Sequence, residues 1–248
     1  MPRQARQKSE TGIYHVILRG INRQMIFEDD EDNERIIELL KAYKTKCGYR
    51  LFAYCLMGNH FHLLLKIENE GLDLVLKRVA GSYAYWFNQK YKRSGHLFQD
   101  RFRSEAIEND RYFFAVLRYI HQNPIKAGLC EDVSDYIYSS YGDYSRGESV
   151  LVDIGYVFSM IDEKSFIELH SEGHDEKCMD VNNYDFRIND ADAMAIIKTI
   201  TMCENASDFQ ALDRGRRDLY IKALKSRGLS IRQISRLTGI SFGLVRKA

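Results

Sequence analysis

Residues 50–67 read RLFAYCLMGNHFHLLLKI, and their reading decides the fold. Two apolar runs of strand length, 50–57 and 60–67, flank the turn dipeptide Gly58-Asn59, so the pair is a hairpin. Upstream, residues 13–19 (IYHVILR) alternate as a strand with Tyr14, Val16 and Leu18 on one face. Between them the acidic cluster Glu28 to Asp32 opens a helix that carries Ile36, Ile37, Leu39, Leu40 and Tyr43 and stops at Gly48. Downstream, 72–91 repeats apolar residues at helical spacing, and 96–107 (HLFQDRFRSEAI) reads as extended. Asp110 caps a helix through RYFFAVLRYIHQN that Pro124 ends. The order β-α-β-β-α-β-α predicts an α+β fold: a ferredoxin-like, split-βαβ antiparallel sheet with helices on one face.

His60 and His62 flank Phe61 on the second hairpin strand. Side chains alternate along a strand, so both imidazoles share a face about 6.6 Å apart. One metal ion can bridge that gap. The plain alternative is two hydrogen-bonded histidines on a polar face. The Gly58-Asn59 turn places the pair near the sheet's edge, within reach of a substrate. On the later helix Tyr119 and Asn123 lie four residues apart and share a face. Asn123, beside Pro124, has an amide suited to act as ligand or hydrogen-bond partner. A tyrosine can serve as a covalent nucleophile when its phenolate is stabilised, although most of the 16 tyrosines simply pack.

Four separated blocks agree in order: Tyr14-His15-Val16 with Arg19-Gly20-Ile21-Asn22, Gly58-Asn59-His60-Phe61-His62-Leu63, His96-Leu97-Phe98-Gln99-Asp100-Arg101-Phe102, and Tyr119-Ile120-His121-Gln122-Asn123-Pro124 with Lys126-Ala127-Gly128-Leu129 behind. Over about residues 10–145 the chain resembles the HUH single-tyrosine transposases, and more narrowly their REP-associated tyrosine branch. The resemblance implies that His60, His62 and Asn123 bind one divalent ion, Mg2+ or Mn2+. It implies that Tyr119 attacks single-stranded DNA beside a hairpin, leaving a 5′-phosphotyrosine link and a free 3′-hydroxyl. Imidazole ligands alone would equally suit zinc. His121, two residues from Tyr119, reads as structural or DNA-contacting. One rival reading is a domesticated DNA-binding regulator that no longer cuts. Another is a metal hydrolase that uses water as nucleophile.

Charge divides the rest of the chain. The formal net charge is +1, but residues 1–150 hold 22 basic and 20 acidic side chains, 151–190 hold 3 and 10, and 191–248 hold 11 and 5. This predicts a nuclease domain over 1–146, an acidic connector over 147–190, and a basic helical DNA-binding domain over 191–248. HSEGHDEKCMDVNNYD, residues 170–185, reads as an exposed loop. Within the tail, GLSIRQISRLTGISFGLVRKA reads as a helix-turn-helix: Ser230 caps one helix, Gly239 turns, Ser241 caps the next, and 214–227 supports both. A small hairpin used only for packing is the alternative. Arg19, Arg23, Arg101 and Arg103, the last two on one strand face, are candidate single-strand contacts, and Arg232, Arg236, Arg246 and Lys247 candidate duplex contacts.

No run approaches the ~20 apolar residues that span a bilayer. The polar start MPRQARQKSETG and the five scattered cysteines point to a reducing, cytoplasmic setting, and the resemblance to DNA transposases implies a place at the nucleoid. A homodimer is compatible with the chain, and no coiled-coil signal demands one.

Overall fold

IYHVILR forms β1 (Ile13–Arg19), buried on both faces, with Tyr14, Val16 and Leu18 on one face and His15, Ile17 and Arg19 on the other. Asp29 then caps α1 (Asp30–Cys47) in a reciprocal capping box with Asp32. Gly48 ends it at φ +63°, where a Cβ would stand 2.0 Å from the Asn69 side-chain amide. The hairpin follows as β2 (Tyr49–Met57) and β3 (His60–Ile67), then α2 (Leu72–Lys90), β4 (Arg103–Ile107) and α3 (Asp110–Lys126). The computed structural model describes residues 7–171, 178–180, 190–203, 205–227, 229 and 231–247.

The sheet has the order β2-β3-β1-β4, antiparallel throughout, which is the split-βαβ topology the element order predicts. Helices α1 and α2 lie together on the Phe61 face. Phe27 packs between Phe61 and Tyr83 at centroid distances of 6.0 and 5.7 Å, Tyr49 donates to the Leu40 carbonyl at 2.7 Å, and Tyr43 meets Ser82 at 2.8 Å.

Several expectations need correction. Helices do not keep to one face: α3 covers the other, with Phe113 edge-on to Phe52 at 5.3 Å and Tyr119 edge-on to His62. Asn109, not Asp110, caps α3 by accepting from the Tyr112 amide. Pro124 does not end α3, which runs on to Lys126. The ring removes one helical donor, but the Ala127 amide still reaches the Asn123 carbonyl at 3.0 Å. Residues 96–102 are not strand. They pair with the sheet through one isolated bridge among the described residues, between Gly20 and Phe98, the Phe98 ring meets Phe61 at 6.2 Å, and Asp100 adopts φ +52°, which turns the chain before β4 begins.

By its contacts the chain forms two compact units, residues 1–22 with 26–184 and residues 23–25 with 185–248. The expected acidic connector is therefore not one up to residue 171, because α4 (Tyr141–Arg146), α5 (Ile154–Phe158) and α6 (Glu163–Ser171) complete the first unit. Asp153 forms a two-pronged bond with Arg50, 3.0 Å on each arm, Tyr156 stacks on Phe52 at 4.5 Å, and Phe166 stacks on Tyr144 at 4.6 Å. Apolar residues at helical spacing outweighed the acids between them. Of the expected loop at 170–185, residues 172–177 and 181–185 lie outside the described residues.

The second unit is helical: α7 (Asp190–Thr201), α8 (Ala206–Ala211), α9 (Arg214–Ser226), α10 (Ile231–Thr238) and α11 (Phe242–Lys247). Ile197, Phe209, Ile221, Leu224, Ile234 and Val245 form its core. Gly239 turns between α10 and α11 at φ +69°, and the Val245 amide bonds back to the Ser241 carbonyl at 3.0 Å. The expected cap Ser230 lies outside the described residues. Among the described residues no helix is long and apolar enough to cross a membrane.

Candidate active site

The register builds the site. Ile17 stands opposite His62 and Arg19 opposite His60, Glu105 of β4 lies opposite His15, and Cys55 and Met57 of β2 flank the pair from the other side. His60, His62, His15, Arg19 and Glu105 therefore share one face. β3 is an interior strand, so the histidines sit at its first turnward residues and not at a sheet edge. Their rings lie 5.1 Å apart, centroid to centroid.

Both imidazoles are buried and neutral. Burial, reinforced by the neighbouring Arg19 charge, pushes the His60 pKa down to about 3. Burial also drops His62 well below its ordinary value, helped by its histidine neighbours and Lys126. Asn59 Oδ1 lies 2.6 Å from His60 Nδ1; an amide oxygen only accepts, so Nδ1 carries the proton and Nε2 the lone pair. His62 Nδ1 lies 3.0 Å from His15 Nε2, and His62 Nε2 is buried with no hydrogen-bond partner. Two neutral imidazoles on one face, one with an uncommitted buried nitrogen, suit a divalent cation. Among the described residues no three His, Cys, Asp or Glu side chains form a closed cage, so further ligands would come from an amide, water or substrate.

Helix α3 lays Tyr119 against this face, its ring edge-on to His62 at 5.7 Å and to His15 at 5.8 Å. The Lys126 ammonium stands 4.3 Å from the Tyr119 ring centroid, and partial desolvation lowers its pKa. Asn123, one turn beyond Tyr119, is fully buried. His121 points away to a separate buried cluster, 2.8 Å from His170 Nε2 and 2.8 Å from Ser140 Oγ. It is structural.

The expected DNA contacts separate. Arg19 joins the histidine face. Arg103 opens β4 on that same face and donates to the Asp180 carbonyl at 2.7 Å. Arg101 does not share its face: the turn at Asp100 sends it to a groove beside Leu18, Leu76 and Lys77 of the α2 side. Arg23 adopts φ +61° and groups with the second unit, where Arg232, Arg236, Arg246 and Lys247 are exposed on α10 and α11. Sequence reasoning quoted His15 and Lys126 only within the matching blocks, with no role at the site, and passed over Glu105. His15 looked like one polar residue in an alternating strand, and only the cross-strand register reveals that it meets His62.

A histidine pair on a split-βαβ sheet, faced by a helix tyrosine, is the layout of the HUH single-tyrosine class. The family model described as "Transposase IS200 like" matches residues 8–123. A Haemophilus influenzae protein described as a REP-associated tyrosine transposase is 35% identical over 121 residues, covering 43% of this chain and 68% of that protein. A solved REP-associated tyrosine transposase bound to a REP hairpin shares the fold, with a TM-score of 0.51 at 19% identity over 60% of this chain and 88% of the other. The chain belongs to the IS200-like transposase family, in its REP-associated tyrosine branch.

Proposed function

We propose that the protein cleaves and rejoins single-stranded DNA beside a hairpin through a covalent link to Tyr119. The contact of the Tyr119 ring with His62, one of the two proposed ligands, and with His15 beside it carries this reading. In the reaction the Tyr119 oxygen attacks a backbone phosphate, the bond to the 3′-oxygen breaks, and a 5′-phosphotyrosine and a 3′-hydroxyl result. The link keeps the energy of the broken bond, so a 3′-hydroxyl can reverse the step without ATP. Phosphoryl transfer of this kind depends on positioning and charge stabilisation.

The residues divide that work. Lys126, over the phenol ring, favours the phenolate. His60 and His62, with the Asn123 amide, would hold Mg2+ or Mn2+, which when bound supplies Lewis-acid polarisation of the phosphate. Arg19 and Arg103 are placed to meet phosphate oxygens on this face, and Arg101 to meet another stretch of strand. His60, His62 and Tyr119 are each 3% exposed or less, so DNA binding must open the site. In the second unit, α10 and α11 serve as a helix-turn-helix that holds duplex DNA through Arg232, Arg236, Arg246 and Lys247. The protein acts in the cytoplasm at the nucleoid, alone or as a homodimer.

The test is a denaturing gel of protein incubated with labelled, hairpin-bearing single-stranded DNA and Mn2+. We expect a covalent adduct that maps to Tyr119 by peptide mass. Tight hairpin binding with no adduct and no cutting would establish the regulator instead, and cutting without an adduct the hydrolase.

A further inference from the structure

We propose that His15 and Glu105 are positioning residues that hold His62 in the tautomer whose Nε2 carries the lone pair. This rests on the reading of His60 and His62 as metal ligands.

A histidine binds a metal through one unprotonated nitrogen, and the partner of the other nitrogen decides which one that is. His62 Nδ1 and His15 Nε2 are 3.0 Å apart, so one proton lies between them. If His15 Nε2 held it, His15 Nδ1 would turn a lone pair toward Glu105 Oε2, 3.7 Å away, and lone pair would face carboxylate. If His62 Nδ1 holds it, His15 Nδ1 is protonated and faces the carboxylate favourably. The Glu105 separation is too long for a hydrogen bond but short enough for its charge to choose between the two. The Met179 amide donates to Glu105 Oε2 at 3.2 Å and steadies the acid.

The other end of the chain agrees. With the proton on Nδ1, His62 Nε2 is a bare lone pair. That nitrogen is buried with no hydrogen-bond partner, a place where a lone pair is tolerated better than an unsatisfied N–H. The two rings stack at 5.3 Å and 21°, a diagonal contact between β1 and β3, while Glu105 reaches in from β4. Three adjacent strands thus hold Glu105, His15 and His62 in line. Packing alone would be met by an apolar residue at position 15, which is fully buried.

The test compares wild type with His15→Leu, His15→Gln and Glu105→Gln. Two readouts are taken: long-range 15N–1H NMR of histidine-labelled, metal-free protein, and Mn2+ affinity by calorimetry. In wild type we expect His62 protonated on Nδ1 alone. His15→Leu should lose that preference and weaken Mn2+ binding about 10- to 100-fold. His15→Gln, whose amide oxygen can accept from His62 Nδ1, should recover most of it, and Glu105→Gln should give mixed tautomers. A wild-type His62 protonated on Nε2, or wild-type Mn2+ affinity in folded His15→Leu, would overturn the proposal. If His15→Leu fails to fold, Glu105→Gln decides by its tautomer ratio, since that side chain is 32% exposed. Wild type that binds no Mn2+ would sink the ligand reading, while the NMR result still judges the alignment.

Discussion

The ring of Tyr119 meets the ring of His62 edge-on, with centroids 5.7 Å apart and planes at 72°. That contact packs helix α3 onto the histidine face of the sheet. Tyr119→Phe keeps the ring and removes only the hydroxyl. Stability should change by less than about 1 kcal/mol, and hairpin affinity should hold. Cutting should fall at least about 1000-fold, because the nucleophile is gone. A Tyr119→Phe protein that cuts at the wild-type rate would refute the assignment.

The ligand set has its own order of importance. His60→Ala with His62→Ala should abolish Mn2+ binding in calorimetry and cleavage with it. Asn123→Ala should weaken binding less, because an amide oxygen is a neutral ligand that water can replace. Unchanged Mn2+ binding in the double variant would place the ion elsewhere.

His170 links stability to pH. It donates from Nδ1 to the Phe166 carbonyl at 2.8 Å, accepts from His121, and is pushed by burial from 6.5 down to about 4. The unfolded chain takes up this proton as pH falls below 6.5, whereas the folded chain resists until about 4. The contribution is thus fully present above that window and is lost across it, at up to about 1.4 kcal/mol per pH unit. His170→Phe should cost about 1–3 kcal/mol at pH 7, because the His121 N–H loses its acceptor. It should also flatten the stability-versus-pH curve by roughly one proton. Guanidinium unfolding at several pH values checks both effects, and a variant curve parallel to wild type would refute the linkage.

The basic side chains of α10 and α11 are exposed, so replacing Arg232, Arg236, Arg246 and Lys247 by Gln should leave the second unit folded. Duplex affinity should drop, and the log–log salt slope should flatten by about 0.9 for each phosphate no longer neutralised. Cutting of a short single-stranded oligonucleotide should stay near wild type. Equal slopes in the two proteins would show that this face does not touch duplex DNA.

The hairpin, β1 and the three long helices of the first unit were legible because each carries its own apolar period, and Gly48 at positive φ marks where α1 stops, whereas the ends of α3 were misread at Asp110 and Pro124. Faces were harder. Element order says that α3 follows β4, but the pairing of Phe113 with Phe52 decides which side it covers. Arg101 and Arg103 looked like strand neighbours until Asp100, in a left-handed conformation, turned the backbone ahead of them. His60, His62 and Tyr119 could be nominated from spacing and resemblance. His15 stood in a matching block, but its role did not show there, since it lies in a partner 47 residues away.

The family match ends at residue 123, yet the layer that finishes burying α3 comes later. Tyr156 rests on Phe113 at 5.8 Å, and His170 stacks on His121 at 5.0 Å. A fragment cut at 146 would contain every side chain proposed for chemistry at Tyr119, and one cut at 123 all but Lys126, yet either would bare the back of the helix that carries Tyr119. The compact unit that carries Tyr119 extends past both cuts, through α6 and beyond. Inherited chemistry and inherited stability draw different borders in this chain. A search for trimmed relatives should follow the second border.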